Sequence, residues 1–585
     1  MEKCVWKNKC FDYCRPAGKN CQGGEKILNG FAKTAFLRGA AMVLLTACML
    51  MMQTACAHAL SVRRADGVGG SVAVWTREKG KSYLFLPAYM QGQALLVSYD
   101  GERSVRLGGD VIADGGQTNA ICADADLRMN VKGIERQIVV MQSGNIAAIH
   151  LTTQSGKLDY IHKRKGNRES GAMQIVTAEG IVDCDVPLEY IKGHGNATFT
   201  YEKKPYQIKL EKKASLLGME AGKRYVLLAN QHENSLLRNR ITLDLARGLG
   251  LRFTSECRPA DLYVNGEYRG SYLLCDKVDV GAGSVEITSG DDALEWVNEA
   301  YLERGGEPEK FGRSDYEPGR YKGVRWPKEP EDLTGGYLFE LEYRDRYEDE
   351  TSGLVTERGQ AVVVKSPGEM GMAQGRYAYE LLNSFERAIF APDGTDSETG
   401  KHYTQIADRE SLVRKYMIEE ASKNYDGNNS SQYFYKDSDQ ADPLLYAGPV
   451  WDYDSAWGNY AKKGAEKEAE PQALRIAKEG YRYSWWPALY AQEDFAARVR
   501  EVYGSELRPM LEVLTGACEP WEGCAVRPLE EYADELAASA EMNFARWRIF
   551  NSPSRAIQTG EDYEENIAYL RAWIEARAAF LDSAW

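Results

Sequence analysis

The chain has 585 residues, and its 72 Lys and Arg residues are outnumbered by 86 Asp and Glu residues, which gives a net charge of −14. This acidic balance argues against nucleic acid as a partner, because proteins that bind nucleic acid present basic surfaces to its phosphates. The charged fraction of 27% and the aromatic fraction of 11% are typical of a folded chain and exclude a largely disordered one. The length predicts about three or four folded units.

Residues 1–59 have the pattern of an export signal. Basic residues precede an apolar run, and the run ends in Ala57-His58-Ala59, the small-residue pattern of a cleavage site. This pattern predicts a leader that is cleaved near Ala59 and a protein that is secreted or displayed at the cell surface of a bacterium. Two alternatives remain open, namely an uncleaved membrane anchor and a lipid attached to Cys48. No other contact with a membrane is predicted.

Six cysteines follow the leader, and an even number in an exported chain predicts disulfides. Their spacings do not resemble a zinc site, and free thiols are the alternative. The sequence suggests three pairs, which are Cys257 with Cys275 across a predicted hairpin, Cys518 with Cys524 around a short loop, and Cys122 with Cys184 as the remaining pair.

Residues 60–175 are predicted to form a β-rich accessory module. Short apolar or alternating runs such as YLFLPAYM and RQIVVM are separated by Gly, Asp and Asn at intervals of about a dozen residues. This spacing is typical of a small sandwich or a set of β-meanders. No group of catalytic residues stands out in this part of the chain.

Residues 176–480 are predicted to form a catalytic core, and its first half contains a glycine turn followed by a strand. Gly193, Gly195 and Asn196 lie in the turn, and Lys209 lies in the middle of the strand PYQIKL. Glycine allows backbone N–H groups to approach a phosphate, and a lysine adds a positive charge. The turn and Lys209 are therefore candidate ligands of a phosphate group. A solubilising lysine at a strand edge is the alternative for Lys209.

A helix is predicted from about Ser235, because apolar residues recur at helical spacing and glycines follow them. Arg238 lies in its first turns, where a cation opposes the helix dipole, so this side chain is predicted to have a carboxylate or phosphate partner. The hairpin DLYVNGEYRGSYLL follows, and its Asn265-Gly266 pair is the signal of a type I′ turn.

Residues 291–334 are rich in Gly, Pro and charge, and they predict a long loop or insertion. The strand GGYLFELE follows, with Glu340 and Glu342 on one face. Helices are predicted in three further places, over residues 370–390 and 408–423 and across a helical C-terminal part at residues 481–585.

The stretch from Asn424 to Asn459 carries the strongest chemical signal in the chain. Asp426, Asp452 and Asp454 are set among aromatic, glycine and small polar residues rather than in a solvated charge run. Carboxylates in such a setting are typical of a part-buried pocket, where burial tunes acid–base behaviour or a metal is gathered. We therefore predict that Asp426 and Asp452 are the working carboxylates of a phosphoryl-transfer site.

Six motifs occur in order along the core, namely the GHGN turn with KKPYQIKL, LLGMEAGKRYVLLAN with SLLRN, YVNGEYRGSYLL, GGYLFELE, KNYDGNNSSQYFYKD and AGPVWDYDSAWGN. In these motifs the chain resembles the spore coat protein CotH kinase family, whose members are secreted or surface-associated bacterial proteins. The resemblance runs from about Ile191 to Trp585 and leaves residues 60–175 largely outside it.

The resemblance implies an α+β fold whose core has an atypical protein-kinase-like arrangement of two lobes. It implies that Asp426 orients or deprotonates the acceptor hydroxyl, and that Asp452 binds a metal with Asp454 as a second carboxylate. Lys209 would pair with the phosphates of a nucleotide. The other residues implied in nucleotide binding are Gly193, Gly195, Asn196 and Trp451.

The activity implied by the resemblance is transfer of the ATP γ-phosphate to a Ser or Thr of an extracellular or spore-coat protein, with Mg²⁺ or Mn²⁺ as the metal. Two alternatives stay open. One is a catalytically inactive, kinase-like protein that acts as a surface-binding or structural module. The other is a metal-dependent transferase in which Asp452 and Asp454 form a DxD motif that holds a sugar nucleotide.

The chain also departs from the kinase pattern, because it has no HRD, DFG or GxGxxG motif. Ser431 occupies the position where ordinary kinases have an Asn that binds a second metal, which leaves a second metal site in doubt. The glutamate partner of Lys209 is not fixed by the sequence, because Glu233, Glu340 and Glu342 are all candidates.

Overall fold

The computed structural model describes residues 60–77, 80–101, 103–312, 319–460, 466–478, 483–550 and 559–585. The predicted leader, its cleavage site and the alternative lipid site at Cys48 lie outside these residues. Among the described helices, none has the length and apolar character needed to span a membrane.

The first part of the described chain forms two small sheets around one apolar core. The four-stranded sheet has the order β2-β1-β5-β8 and the six-stranded sheet has the order β3-β4-β10-β9-β6-β7. Alternating side chains such as Leu60, Val62, Leu95 and Val97 point into the core between them. The strands are β1 (Leu60–Arg64), β2 (Val72–Ala73), β3 (Trp75–Thr76), β4 (Ser82–Leu86), β5 (Leu95–Tyr99), β6 (Arg103–Leu107), β7 (Asp110–Ile112), β8 (Gln117–Thr118), β9 (Leu127–Val131) and β10 (Ile134–Gln142).

A closed barrel of seven strands follows, in the order β11-β12-β13-β14-β15-β17-β16. Its strands are β11 (Ala147–Thr153), β12 (Arg168–Val176), β13 (Val182–Gly193), β14 (Tyr206–Ala214), β15 (Gly222–Leu228), β16 (Cys257–Val264) and β17 (Glu267–Asp276). The barrel closes where β11 pairs in parallel with β16. The domain boundary predicted at residue 175 falls inside β12, and the strands on either side of it belong to this one barrel.

Two short helices interrupt the barrel strands, α1 (Asp159–Lys163) and α2 (Arg238–Gly248). The β16–β17 hairpin turns at Asn265 and Gly266, whose φ angles of 53° and 82° confirm the predicted left-handed turn. Cys257 and Cys275 face each other across this hairpin, as the symmetric register predicts. The six described cysteines form no disulfide, so the disulfides stay predictions.

A seven-stranded sheet in the order β18-β19-β21-β22-β20-β23-β24 forms the centre of the remaining chain. Its strands are β18 (Glu309–Phe311), β19 (Arg320–Arg325), β20 (Tyr337–Leu341), β21 (Gly353–Val355), β22 (Ala361–Ser366), β23 (Gln432–Lys436) and β24 (Leu445–Ala447). The helices within this part are α3 (Gly290–Leu302), α4 (Arg344–Asp349), α5 (Met372–Phe390) and α6 (Arg409–Ser422).

The prediction of a long loop over residues 291–334 was wrong. The Ser289 hydroxyl accepts a hydrogen bond from the backbone N–H of Asp292 at 3.0 Å and caps α3, which buries Leu294 on its inner side. Strands β18 and β19 then pair with each other, and β19 joins the sheet through β21. Tertiary pairing therefore organises a segment whose Gly, Pro and charge content suggests a loop.

The C-terminal part is helical, as predicted, and packs into the large apolar core that also contains α2, α5 and α6. This confirms a mixed α+β fold, whereas the two-lobed, kinase-like arrangement stays a prediction. The helices are α7 (Glu466–Ala469), α8 (Trp485–Tyr490), α9 (Glu493–Val502), α10 (Arg508–Leu514), α11 (Leu529–Arg546) and α12 (Tyr563–Ala584).

Candidate functional site

Asp426 lies on a short loop that begins where α6 ends. Asp408 caps the start of α6 by accepting the N–H of Ser411 at 2.7 Å, and Lys423 ends the helix in a left-handed conformation with φ of 51°. The reversal at Lys423 turns the chain out of the helix and presents Asp426 near the end of β20 and the start of β23. The loop then returns to the sheet as β23.

The environment of Asp426 favours its protonated form. Burial, and then the negative charge of Asp452, raise the pKa of Asp426 from 3.8 to about 7. The Tyr343 hydroxyl donates a hydrogen bond to Asp426 Oδ1 at 3.1 Å and, together with the charge of Arg346, partly offsets this rise. A carboxyl group with a pKa near neutrality is suited to exchange a proton with a substrate hydroxyl.

Asp452 and Asp454 lie beside Asp426. Burial raises the pKa of Asp452, while a hydrogen bond from Ser431 Oγ to Oδ2 at 3.1 Å lowers it. Burial, followed by the charges of Asp452 and Asp426, raises the pKa of Asp454 well above its ordinary value. Asp452 also has a left-handed backbone with φ of 74°, a strained conformation that is common at functional sites. The structure thus brings the three predicted aspartates together.

The donor chemistry of this carboxylate group fits a hard divalent cation. Mg²⁺ in phosphoryl-transfer sites is commonly held by one or two carboxylates together with phosphate oxygens of the substrate. Asp452 and Asp454 repel each other when both are charged, and a cation between them would relieve that repulsion. Within the described residues, no group of three or more His, Cys, Asp or Glu side chains is arranged to hold a metal ion by itself. Phosphate oxygens of a bound nucleotide would be among the ligands of such a cation.

Arg346 connects the aspartates to Glu342, which directly follows β20. Its Nη1 donates to both carboxylate oxygens of Glu342 at 3.1 Å and to Ser430 Oγ at 2.9 Å. Ser430 in turn donates to Glu342 at 2.6 Å. The charge of Arg346 also acts on Asp426 and Asp452, so this arginine balances part of the negative charge at the site.

Four lysines, which we call the lysine cluster, lie near enough to His194 to act on its charge, and one of them, Lys365, belongs to β22 of the seven-stranded sheet. Burial and then the charges of all four lower the pKa of His194 to about 3, so the imidazole is neutral at physiological pH. Lys365 pairs with Glu340 at 3.4 Å and so connects the lysine cluster to a glutamate of β20. The members of the lysine cluster are Lys165, Lys192, Lys277 and Lys365.

The lysine cluster is a candidate anion site. Burial and the neighbouring cations lower the pKa of Lys192, because each positive charge is less stable near the others. Burial also lowers the pKa of Lys277, although Asp279 at 3.2 Å offsets part of this effect. An anion placed among these lysines would relieve their repulsion, as the phosphates of a nucleotide would do.

Lys209 is not drawn into this cluster. Tyr206, Ile208 and Leu210 of β14 point into the interior of the barrel. Because side chains alternate along a strand, Lys209 points outward. Its Nζ pairs with the carboxylate of Glu189 at 2.8 Å at the barrel surface. The structure therefore brings the aspartates together but provides Lys209 with a different partner from the one that the resemblance implies.

The three glutamates that were candidate partners of Lys209 all pair with other cations. Glu340 pairs with Lys365, and Glu342 pairs with Arg346. Glu233 forms a fully buried ion pair with Arg238, which confirms the predicted carboxylate partner of that arginine.

The glycine turn is built largely by local packing. A Cβ atom on Gly193 would lie 2.1 Å from the Phe199 ring, and Gly195 has φ of 73°. Asn196 accepts a hydrogen bond from Lys165 Nζ at 2.7 Å, which attaches the turn to the lysine cluster. The turn is thus beside the candidate anion site, although its glycines have structural roles of their own.

Trp451 lies half-buried between the large core and a small apolar cluster that contains Leu338, Tyr433 and Val278. Leu338 and Tyr433 come from β20 and β23, and Val278 follows Lys277 of the lysine cluster. An apolar surface next to a cationic site is suited to a nucleotide base next to its phosphates. The role of Trp451 in binding a nucleotide base stays a prediction.

Sequence reasoning missed the four residues of the lysine cluster, and it also missed Tyr343 and Arg346. Lys192 directly precedes the glycine turn, and a positive residue at such a turn can indicate a phosphate-binding site. Lys277 follows the end of β17, and no local pattern marks it. Tyr343 and Arg346 reach the site through α4, a short helix that only the three-dimensional structure reveals.

The family model that matches this chain is described as CotH kinase protein, and it matches residues 191–581. Because the match covers more than half of the chain, the protein belongs to the CotH kinase family. It begins near the end of β13 and leaves the two N-terminal sheets outside. No curated protein matches the chain.

Proposed function

We propose that this protein transfers the γ-phosphate of ATP to a Ser or Thr hydroxyl of an extracellular or spore-coat protein, with Mg²⁺ or Mn²⁺ as the metal. The observation that carries the proposal is the grouping of Asp426, Asp452 and Asp454 in a member of a kinase family that also carries the lysine cluster. Acceptor activation, cation binding and phosphate binding are the three elements that phosphoryl transfer requires.

Each part of the site has a separate role in this proposal. Asp426, with a pKa near neutrality, orients the acceptor hydroxyl and takes its proton. Asp452 and Asp454 would hold the metal, which neutralises charge on the phosphate oxygens. The lysine cluster binds the remaining phosphate charge, and the apolar surface at Trp451 receives the base.

The export of the protein is part of the proposal. The leader pattern over residues 1–59 would direct the chain out of the cell, with cleavage near Ala59, and an anchor or a lipid at Cys48 would instead keep it at the surface. Determining the mass and the first residue of the mature protein isolated from its host decides between these outcomes.

Incubation of the purified protein with ATP labelled in its γ-phosphate, Mg²⁺ or Mn²⁺, and a serine-rich acceptor peptide tests the activity. We expect label in the peptide with the unaltered protein, and at least about a hundredfold loss in Asp426→Ala and Asp452→Ala. The exposed Asp534 on α11 supplies the control, because Asp534→Asn should transfer label normally. Transfer that survives both site substitutions would contradict the assignment.

A second candidate function is nucleotide binding without transfer. It is favoured by Ser431, which occupies the position of the second metal-binding residue of ordinary kinases and donates a hydrogen bond to Asp452. In that case ATP would raise the melting temperature of the protein while no label reached any acceptor.

A further inference from the structure

Arg475 braces the loop that carries Asp426. Its side chain is buried, with 4% of its surface exposed. Nε donates to the carbonyl oxygen of Asn424 at 3.3 Å, and Nη2 donates to that of Tyr425 at 3.1 Å. The guanidinium also lies 5.0 Å from the centre of the Tyr425 ring. One rigid group therefore holds the two residues immediately before Asp426.

The chain around Arg475 is itself firmly held. The Glu420 carboxylate on α6 accepts the backbone N–H groups of Arg475, Ile476 and Ala477 at 2.8, 2.8 and 3.0 Å. The third guanidinium nitrogen, Nη1, pairs with the Glu468 carboxylate, which neutralises the buried charge. The arginine is thus fixed at both its backbone and its side chain before it contacts the loop.

The residue after Asp426 is held by neighbouring parts of the chain. Gly427 has no side chain, and a Cβ atom there would lie 2.6 Å from Ile476 Cδ1. Its carbonyl oxygen accepts a hydrogen bond from Trp486 Nε1 at 2.9 Å. Asp426 is therefore enclosed by backbone groups with fixed partners on both sides, and only its side chain projects toward the other carboxylates.

We propose that Arg475 is a positioning residue that sets the geometry of Asp426 through the carbonyl groups of Asn424 and Tyr425. This inference rests on the proposed phosphoryl transfer. The planar guanidinium fixes two consecutive peptide units at once, which a single ammonium group cannot do. Small displacements of a catalytic group are costly because the reacting atoms must be aligned, so loss of this brace slows the chemical step rather than nucleotide binding.

Steady-state kinetics on Arg475→Gln and Arg475→Lys tests the inference in the full protein. We expect kcat to fall about ten- to a hundredfold in Arg475→Gln, with KM for ATP changed less than about twofold and with Arg475→Lys intermediate. Arg498→Gln is the matched control, because it removes an arginine–glutamate pair with Glu410 far from the loop and should keep the normal kcat. An unchanged kcat in Arg475→Gln, or a KM that rises while kcat stays constant, would overturn the inference.

Hydrogen exchange separates this inference from the proposed function. Amides of residues 424–428 should exchange faster in Arg475→Gln than in the unaltered protein, while the α9 amides should not change. If the unaltered protein transfers no phosphate, the proposed function fails. Faster amide exchange in Arg475→Gln would then still show that Arg475 holds the loop, but without a role in catalysis. If Arg475→Gln does not fold, Arg475→Lys serves alone, and a normal kcat in that variant overturns the inference.

Discussion

The Tyr343 hydroxyl and the Asp426 carboxylate form a 3.1 Å hydrogen bond that joins α4 to the loop after α6. This bond stabilises the charged form of Asp426, whereas burial and Asp452 favour the protonated form. The ionisation of Asp426 is therefore set by a balance between groups from separate parts of the chain. That balance leads to predictions about pH and stability.

Replacing Tyr343 by Phe removes a hydrogen bond to the carboxylate, so the pKa of Asp426 should rise above its present value of about 7. If Asp426 acts as a base, activity below pH 7 should fall about three- to tenfold and recover at higher pH. A profile of kcat/KM against pH measures this shift. Tyr403→Phe, which loses a 2.6 Å bond to Asp494 elsewhere, should leave the profile in place.

Asp426 should reduce the stability of the folded protein at neutral and higher pH. Its folded-state pKa of about 7 lies above the ordinary value of 3.8, so the folded state binds more protons than the unfolded state between these values. Stability is therefore greatest below this window and is lost as the pH rises through about 7. Asp426→Asn should remove this loss.

Thermal unfolding without added metal checks the expectation for Asp426→Asn. The substitution should increase the free energy of unfolding by about 1 to 3 kcal/mol at pH 8 and have little effect near pH 4. The same variant should be inactive, so that stability and activity change in opposite directions. A lower melting temperature of Asp426→Asn than of the unaltered protein at pH 8 would contradict this expectation. It would mean that the surroundings do not destabilise the charged form of Asp426.

Lys192 and Lys209 offer a matched pair for testing where the phosphates bind. Lys192 belongs to the lysine cluster, whereas Lys209 is paired with Glu189 at the barrel surface. Lys192→Ala should weaken ATP binding about tenfold, more strongly at low salt, and Lys209→Ala should change it less than about twofold. Calorimetric titration with ATP measures both, and a larger effect of Lys209→Ala would restore the role that the resemblance implies.

The Cys257 and Cys275 thiols are the cysteine pair placed for a disulfide. They face each other in the hairpin register, and burial raises the pKa of Cys275 well above its ordinary value. A buried thiol of this kind reacts slowly, so the bond should form during oxidative folding rather than afterwards.

Mass spectrometry of protein folded with and without an oxidant should find the Cys257–Cys275 bond only in the oxidised sample. The bond should add about 3 kcal/mol to the free energy of unfolding, as expected for a loop of this length. Cys184 lies in the barrel interior and Cys122 is exposed, so we expect no bond between these two. A Cys122–Cys184 bond in the native protein would contradict this expectation.

Local signals in the sequence predict the three aspartates of the site. Asp426 follows a helix with clear start and stop residues, and Asp452 and Asp454 follow a short strand among aromatic residues. The turn at Asn265 and Gly266 likewise depends on neighbouring residues alone. Such features are set within a few positions of the chain, where pattern and propensity are informative.

The lysine cluster depends on contacts between distant parts of the chain. Lys165 and Lys365 are 200 positions apart, yet both act on His194. The sequence around Lys209 also predicts a phosphate ligand, but Lys209 forms an ion pair with Glu189 instead. The position of Glu189 is set by an irregular pairing of β13 with β14. Sequence patterns describe the direction of a side chain along a strand, whereas its partner depends on the register of the neighbouring strand.

The parallel pairing of β11 with β16 has a practical consequence for shortened forms of the protein. A chain that began at residue 176, directly after the predicted accessory module, would lack β11 and nearly all of β12. The barrel would then open, and β13 and β16 would each expose an unpaired edge of backbone donors and acceptors. Exposed edges of this kind pair with other molecules, so such a fragment should aggregate on expression even though it keeps every candidate catalytic residue.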